Sequence, residues 1–195
     1  TRAHAKYFSE ELGADPEKMQ VMYLEADTSI YYPHQIEKPD QAKGKYTVLY
    51  FGSILPLQGV DIVLEAAELL KDRTDICFYI IGPIGEKMTK PSAPNIHYIP
   101  WLSQDKLSDY IAFADLCLAG HFNKEINKAK RTIPGKAYIY RAMGKPMILG
   151  ENPANHELYS EKEPEISFVE MGNGKKLAEK ILECKEQNSR GREKI

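Results

Sequence analysis

The chain has 195 residues and a mass of 22.2 kDa, enough for one domain with a substantial core, or one domain and a remnant of a neighbour. Its 43% hydrophobic and 28% charged residues, with 13 Gly and 12 Pro, exclude collagen-like, disordered and disulfide-scaffold compositions. Apolar runs such as Ile76 to Ile81 fall far short of the roughly 20 residues a membrane-spanning helix needs, and 26 Lys and Arg against 28 Asp and Glu offer no global attraction to a polyanion, so no nucleic-acid partner is expected.

The first residue is Thr and no charged-then-apolar leader precedes it, which suggests a fragment. Thr1 to Leu12 reads as helical, Gly13 to Pro16 as a turn, and Met19 to Leu24 as strand-like, running into Tyr31-Tyr32-Pro33. Pro39 to Lys45 is polar and turn-rich and reads as a linker. Tyr46 to Phe51 is then a β-branched and aromatic run ending at Gly52, followed by Val60, Val63, Leu64, Ala67 and Leu70 at helical spacing. Ile76 to Ile81 ends at Gly82, a turn-rich stretch follows, and Ile96 to Ile99 makes a short strand. Ser103 is placed to cap a helix carrying Leu107, Tyr110, Ile111 and Ala114. Leu116 to Ala119 and Pro146 to Leu149 are further strands, with Ala137 to Met143 helical between them and Gly144 as its C-cap. Asn152-Pro153 opens a short helix through Tyr159, Ile166 to Val169 is a last strand, and Leu177, Ile181 and Cys184 mark a C-terminal helix that frays from Glu183 onward.

Continuous apolar strands alternating with helices predict an α/β class: a doubly wound, Rossmann-like parallel sheet covered on both faces. Cys77, Cys117 and Cys184 are odd in number and lack Cys-x-x-Cys spacing, so they read as thiols of a reducing compartment, the cytoplasm by default. Ligands of such sheets bind beyond the carboxyl ends of the strands. The loops there hold no Walker loop, no dinucleotide fingerprint, no Gly-x-Ser-x-Gly and no His-Glu-x-x-His. Nor is there an Asp-x-Asp pair, so no metal is expected. What remains is the glycine-rich turn after the first main strand and a basic segment, Lys124, Lys128, Lys130, Arg131 and Lys136, leading into a helix that begins near Pro134. A helix N-terminus with Arg131 and Lys136 beside it suits an anion, a diphosphate above all. The competing reading of Lys124 to Arg131 is a solvated charged loop.

The stretches "VLYFGSILPLQGVDIVLEAAELL", "FYIIGPIG", "NIHYIPWLSQDKLSDYIAFADLCLAG" and "KAKRTIPGKAYIYRAMGKPMILGENPANHELY", in that order, resemble the C-terminal half of a GT-B glycosyltransferase, within the large retaining group 1 family. The resemblance covers residue 46 to about 187. It implies that residues 1–38 are the end of an N-terminal domain and its hinge, that residues 39–195 are the domain binding a UDP- or GDP-sugar donor, and that no cofactor is needed. It further implies transfer to an acceptor sugar or lipid-linked glycan held by the other domain, in cell-surface polysaccharide biosynthesis, with the full-length protein at the inner membrane surface. By the same resemblance, Gly52, Ser53 and Gln58 belong to the donor loop, where backbone N–H groups approach the diphosphate. Gly82 ends the next strand, Trp101 and Leu102 frame the base, His121 lies in the loop that contacts the sugar, and Glu157 matches a glutamate after the "GKPMILG" strand. Ser53 and Gln58 stand where many members have Arg and Lys, and Arg131 and Lys136 are the replacement cations.

One departure matters. The family's Glu-x7-Glu carboxylates fall at Arg131 and Ile139, and the second of these normally accepts hydrogen bonds from the ribose hydroxyls, which Ile139 cannot do. A degenerate, non-catalytic binding module is therefore an alternative. So is an unrelated doubly wound isomerase or regulatory domain, whose deepest cleft would lie away from Gly52 and Lys136. Trp101 and His121 each also have an ordinary structural reading, in a core or an interface, as do Asn152 and Asn155 as cap and surface residues.

Overall fold

Six largely apolar runs, four of them rich in β-branched and aromatic residues, become the strands of one parallel sheet: β1 Tyr46–Phe51, β2 Ile76–Ile81, β3 Ile96–Ile99, β4 Leu116–Gly120, β5 Met147–Gly150 and β6 Ile166–Val169. The computed structural model describes residues 1–53 and 55–192, with side chains for all of these but 191 and 192. The strand order is β3-β2-β1-β4-β5-β6. The chain thus winds outward from β1 to one edge, returns, and winds from β4 to the other, the doubly wound order with its reversal between β1 and β4.

Alternation along each strand sends side chains to two cores. Val48, Tyr50, Phe78, Ile80, Leu118 and Ile148 pack under α2 (Val60–Leu69) and α6 (Gly174–Arg192). Leu49, Cys77, Tyr79, Cys117, Met147 and Phe168 pack on the other face, under α3 (Gln104–Phe113) and α5 (Gly135–Ala142). With both faces covered, the strands need no polar side, which is why they read as unbroken apolar runs.

The N-terminal segment departs from the sequence reading. Helix α1 (Arg2–Leu12) forms, ended by Gly13 in the left-handed region at φ 68°. Met19 to Leu24, however, joins no strand among the described residues. Its alternation instead lets Tyr23 lean on the α3/α5 core while Met22 and Leu24 face outward. Pro39 to Lys45 is no free linker: a 3₁₀ turn at Asp40–Ala42 buries Ala42 completely, and Lys38 pairs with Asp115, whose carboxylate also accepts the Thr47 N–H at 2.8 Å.

Three further differences have local causes. Lys124 to Arg131 is not simply a solvated loop, because Asn127–Arg131 winds into α4 around the buried Ala129. The helix expected from Asn152 shrinks to a 3₁₀ turn at Asn155–Glu157. Asn152 does cap that turn, its Oδ1 accepting the Asn155 N–H at 2.9 Å, while the Asn155 side-chain amide donates back to the Gly150 carbonyl at 2.8 Å and ties the turn to the end of β5. Helix α6 does not fray at Glu183 but continues to Arg192, fastened in part by a Lys185–Asp75 ion pair at 2.9 Å; residues 193–195 lie outside the described residues.

Leu49 lies on the central strand with no exposure at all. Leu49→Ala should cost about 2–5 kcal/mol in urea unfolding, whereas Met22→Ala, at 76% exposure, should stay within about 0.5 kcal/mol of the parent.

Candidate functional site

Strands β1 and β2 pair in register over all six residues from Tyr46↔Ile76 to Phe51↔Ile81. Strands β1 and β4 pair only at Val48↔Leu116 and Leu49↔Cys117, then part. The carboxyl ends of the two central strands therefore diverge at the reversal of strand order, and a cleft of about 410 Å³ opens there. It brings together Gly52, Ser53, Gln58, Gly82, Trp101, Leu102, His121 and Lys136, with Phe51, Leu107 and Gly135 completing its walls. A larger hollow of about 530 Å³ lies at the amino ends of β1, β4 and β5, walled by Tyr46, Leu116, Met147 and Cys184 among others, and no Lys or Arg among the described residues lines it.

Gly52 and Gly82 contribute space rather than amides. The Gly52 N–H donates to the Ile81 carbonyl at 3.0 Å and is spent on the sheet, so of the Gly52-Ser53 turn that the resemblance assigned to a diphosphate the Gly52 amide is already taken; the Gly82 N–H likewise donates to the Ile99 carbonyl at 2.8 Å. A Cβ on Gly82, whose φ is 117°, would sit 1.9 Å from the Gly52 carbonyl oxygen; one on Gly52 would sit 2.1 Å from Gln58 Oε1 and 3.0 Å from Lys136 Nζ. Any side chain at either position would plug the floor of the cleft.

Lys136 is the cation of that floor. It stands in the first turn of α5, after Pro134 at the N-cap, where the first N–H groups of the helix lack helical partners. The side chain is 5% exposed. Its ammonium donates to Gln58 Oε1 at 2.7 Å and lies 4.0 Å from the centre of the Tyr50 ring. Burial, the only cause of the shift, holds its pKa well below the usual lysine value, with no carboxylate to oppose it. A buried, uncompensated ammonium beside a helix N-terminus is a site waiting for negative charge.

His121, beyond β4, is also buried, and its Nδ1 has no hydrogen-bond partner among the described residues. Burial first, then the nearby Lys136 and Lys128, push its pKa down to about 4, so near neutrality it is an uncharged donor and acceptor. Trp101 stands at the mouth with 74% of its surface exposed, above Pro100, Leu102 and Leu107. An exposed indole beside an apolar slot offers a planar face to another flat ring. Among the described residues no three His, Cys, Asp or Glu side chains gather as metal ligands would.

Three expected residues lie elsewhere. Arg131, at the end of α4, stacks its guanidinium 3.3 Å from the centre of the Tyr7 ring on α1, and its carbonyl accepts from the Thr1 hydroxyl. It does not line the cleft, so one cation, not two, stands there. Ile139 follows Lys136 by three residues on α5 and, half-buried, packs against the core on the sheet's α3/α5 face rather than lining the cleft. Glu157 binds the N-terminal segment instead: its carboxylate accepts from the Arg2 and Ala3 N–H groups at 2.6 and 2.7 Å and from the Tyr23 hydroxyl at 2.7 Å. Burial alone would raise the Glu157 pKa, but those hydrogen bonds prevail and hold it below the usual carboxylate value. Tyr50, read only as a strand residue, was missed as part of the site: its hydroxyl donates to Gln58 Oε1 at 3.2 Å. Its place two residues before the strand-end glycine was the available signal.

This architecture, a six-stranded doubly wound sheet with a cation-floored cleft at its switch point, is the Rossmann-like half of a GT-B fold. The profile of the family described as glycosyl transferases group 1 matches residues 45–187, and the chain belongs to that family. The fold is similar to Anabaena HepE in complex with UDP-glucose, at TM-score 0.73 and 16% identity over 97% of this chain and 53% of that one. It is similar also to the C-terminal domain of LpcC, a glycosyl transferase group 1 family protein from Francisella tularensis, at TM-score 0.57 and 19% identity over 80% of this chain and 85% of that one. WaaG, a glycosyltransferase involved in lipopolysaccharide biosynthesis, aligns at TM-score 0.63 and 16% identity over 91% and 51%. The chain thus spans about half the length of HepE and WaaG. No curated protein matches it by sequence. No helix among the described residues is long and apolar enough to cross a membrane.

Because the Glu157 pKa is lowered on folding, the stability it contributes is present above the ordinary carboxylate value and is lost as pH falls through the lowered one. Glu157→Gln should therefore lower Tm by about 2–4 °C per kcal/mol lost at neutral pH and flatten the acid limb of the Tm–pH curve, measured by calorimetry. Gly52→Ala, whose methyl would meet the Gln58, Tyr50 and Lys136 side chains at 2.1, 2.8 and 3.0 Å, should force those side chains apart and lower Tm, measured by calorimetry.

Proposed function

We propose that this chain is the donor-binding half of a glycosyltransferase, retaining and of hexosyltransferase type, that holds a UDP- or GDP-linked sugar for transfer to a hydroxyl acceptor in cell-surface polysaccharide biosynthesis. The observation that carries the reading is Lys136: a buried ammonium without a carboxylate partner, at a helix N-terminus, on the floor of the switch-point cleft. A diphosphate fits the charge, and HepE, similar in fold, was solved with UDP-glucose.

In this reading the diphosphate lies over Gly52 against Lys136, the base lies between Trp101 and the slot of Pro100 and Leu102, and the sugar reaches toward His121. When the glycosidic bond breaks, its electron pair leaves with the diphosphate, and the charge that builds there meets a fixed cation and helix dipole. Neutral His121 hydrogen-bonds a sugar hydroxyl and takes no part as a cation. The acceptor, an acceptor sugar or lipid-linked glycan at a membrane surface, is held by an N-terminal domain to which residues 1–38 lead. Residues 39–195 alone bind the donor and do not turn it over. Ile139 favours one further reading, a module that retains the cleft but not the chemistry, since an apolar side chain stands where the family's ribose-binding carboxylate falls.

Lys136→Ala should weaken UDP or GDP binding about tenfold or more by titration calorimetry, while Arg131→Ala should leave it within about threefold. Unchanged affinity in Lys136→Ala removes the diphosphate site. Thermal stabilisation by nucleotides but no transfer by the full-length protein selects the non-catalytic module. Since burial lowers the Lys136 pKa and a bound diphosphate would raise it, binding should take up a proton wherever the free side chain is partly deprotonated, and weaken as pH rises through that range. The binding enthalpy should then depend on the ionisation enthalpy of the buffer, and Lys136→Gln should abolish that dependence.

A further inference from the structure

Gln58 closes a small circuit over the cleft floor. Its Oε1 accepts from Lys136 Nζ at 2.7 Å and from the Tyr50 hydroxyl at 3.2 Å, while its Nε2 donates to Ser53 Oγ at 3.0 Å. All three heavy atoms crowd the point above Gly52: a Cβ there would lie 2.1 Å from Gln58 Oε1, 2.8 Å from the Tyr50 hydroxyl and 3.0 Å from Lys136 Nζ. A single oxygen thus sits where two donors converge over the one residue that leaves room. Resting on the donor-binding reading above, we propose that Gln58 is a displaceable cap: its carboxamide oxygen occupies the position of a phosphoryl oxygen, and the donor's diphosphate takes Lys136 and Tyr50 from it as the side chain swings aside.

The chemistry of the amide suits this part. A neutral oxygen satisfies the buried ammonium well enough to keep it folded in. It is nonetheless a weaker acceptor than a phosphate oxygen, whose hydrogen bond to an ammonium is charge-assisted and roughly twice as strong. A carboxylate at this position would form a lasting ion pair with Lys136 and hold the site against its own ligand. The cap sits on a 3₁₀ turn, Pro56–Gln58, outside the sheet ladder, so displacing it breaks no strand pairing. Its other arm ends on Ser53, an exposed hydroxyl that water can replace. Gln58 is in these terms a positioning residue, setting how readily Lys136 is released.

Titration calorimetry with UDP on the wild type, Gln58→Ala and Gln58→Glu tests the proposal, with Tm recorded for each. Gln58→Ala should bind UDP about threefold or more tightly than the wild type, because the competitor is gone and the stranded ammonium gains its acceptor from the ligand. Gln58→Glu should keep or raise Tm and bind about tenfold or more weakly, recovering as pH falls through the titration of the new carboxylate. In a Lys136→Ala background, the gain from Gln58→Ala should shrink, since only the Tyr50 hydroxyl is then left for Gln58 to hold. Weaker binding by a folded Gln58→Ala protein means that Gln58 holds the ligand directly and overturns the proposal, as does a Gln58→Glu affinity equal to the wild type. A wild type that binds neither UDP nor GDP overturns the donor-binding reading itself, a result distinct from either of these.

Discussion

The parting of β1 from β4 is the constraint on which the site depends. Parallel strands normally continue pairing for as long as both have residues to offer, and β1 keeps full register with β2 to its last residue. On its other side the ladder stops after Leu49↔Cys117, although both strands run on. The freed ends carry Phe51 and Gly52 on one side and Gly120 and His121 on the other, and α5 aims its N-terminus into the gap. Glycine at these ends is a packing requirement: a Cβ at Gly150 would sit 2.0 Å from the His121 carbonyl oxygen, and one at Gly82 closer still, 1.9 Å, to that of Gly52. The backbone closes around the cleft so tightly that only hydrogen fits.

Within that frame one charge organises the polar groups. Lys136 is carried into the gap by the first turn of α5, and burial makes its ammonium costly. The protein offsets that cost with a carbonyl oxygen and two aromatic faces, those of Tyr50 and Phe51, rather than a carboxylate. A carboxylate would have balanced the charge and closed the site to anions. The arrangement keeps a cation buried and under-compensated, at a cost in stability.

The N-terminal segment is bound to the same region from the outside. Glu157 grips the first amides of α1 and the hydroxyl of Tyr23, Tyr7 lies over Arg131, and Ser108 donates to the Ile30 carbonyl at 2.8 Å. Tyr31 is buried in the core on the sheet's α3/α5 face, and Ala3, Tyr23, Ala26 and Ile30 pack against it. Two residues that the family pattern offered as ligand contacts, Arg131 and Glu157, are occupied in this attachment.

The amino-acid sequence by itself determined the strands, the main helices and the strand-end glycines. A strand buried on both faces must be continuously apolar and a helix on its surface must repeat near every third or fourth residue, and such patterns are local. Tyr46–Phe51, Ile76–Ile81, Ile96–Ile99 and Ile166–Val169 were legible to the residue for that reason. Tertiary structure alone decided which of two nearby cations enters the cleft. Arg131 and Lys136 lie five positions apart in one basic stretch, and spacing does not distinguish them. What separates them is the docking of α1, remote in sequence, whose Tyr7 gives Arg131 another partner, and the turn at Pro134 that points Lys136 inward. Likewise the alternation at Met19 to Leu24 specified one buried face, but only a neighbouring sheet edge could have made it a strand, and none lies beside it among the described residues.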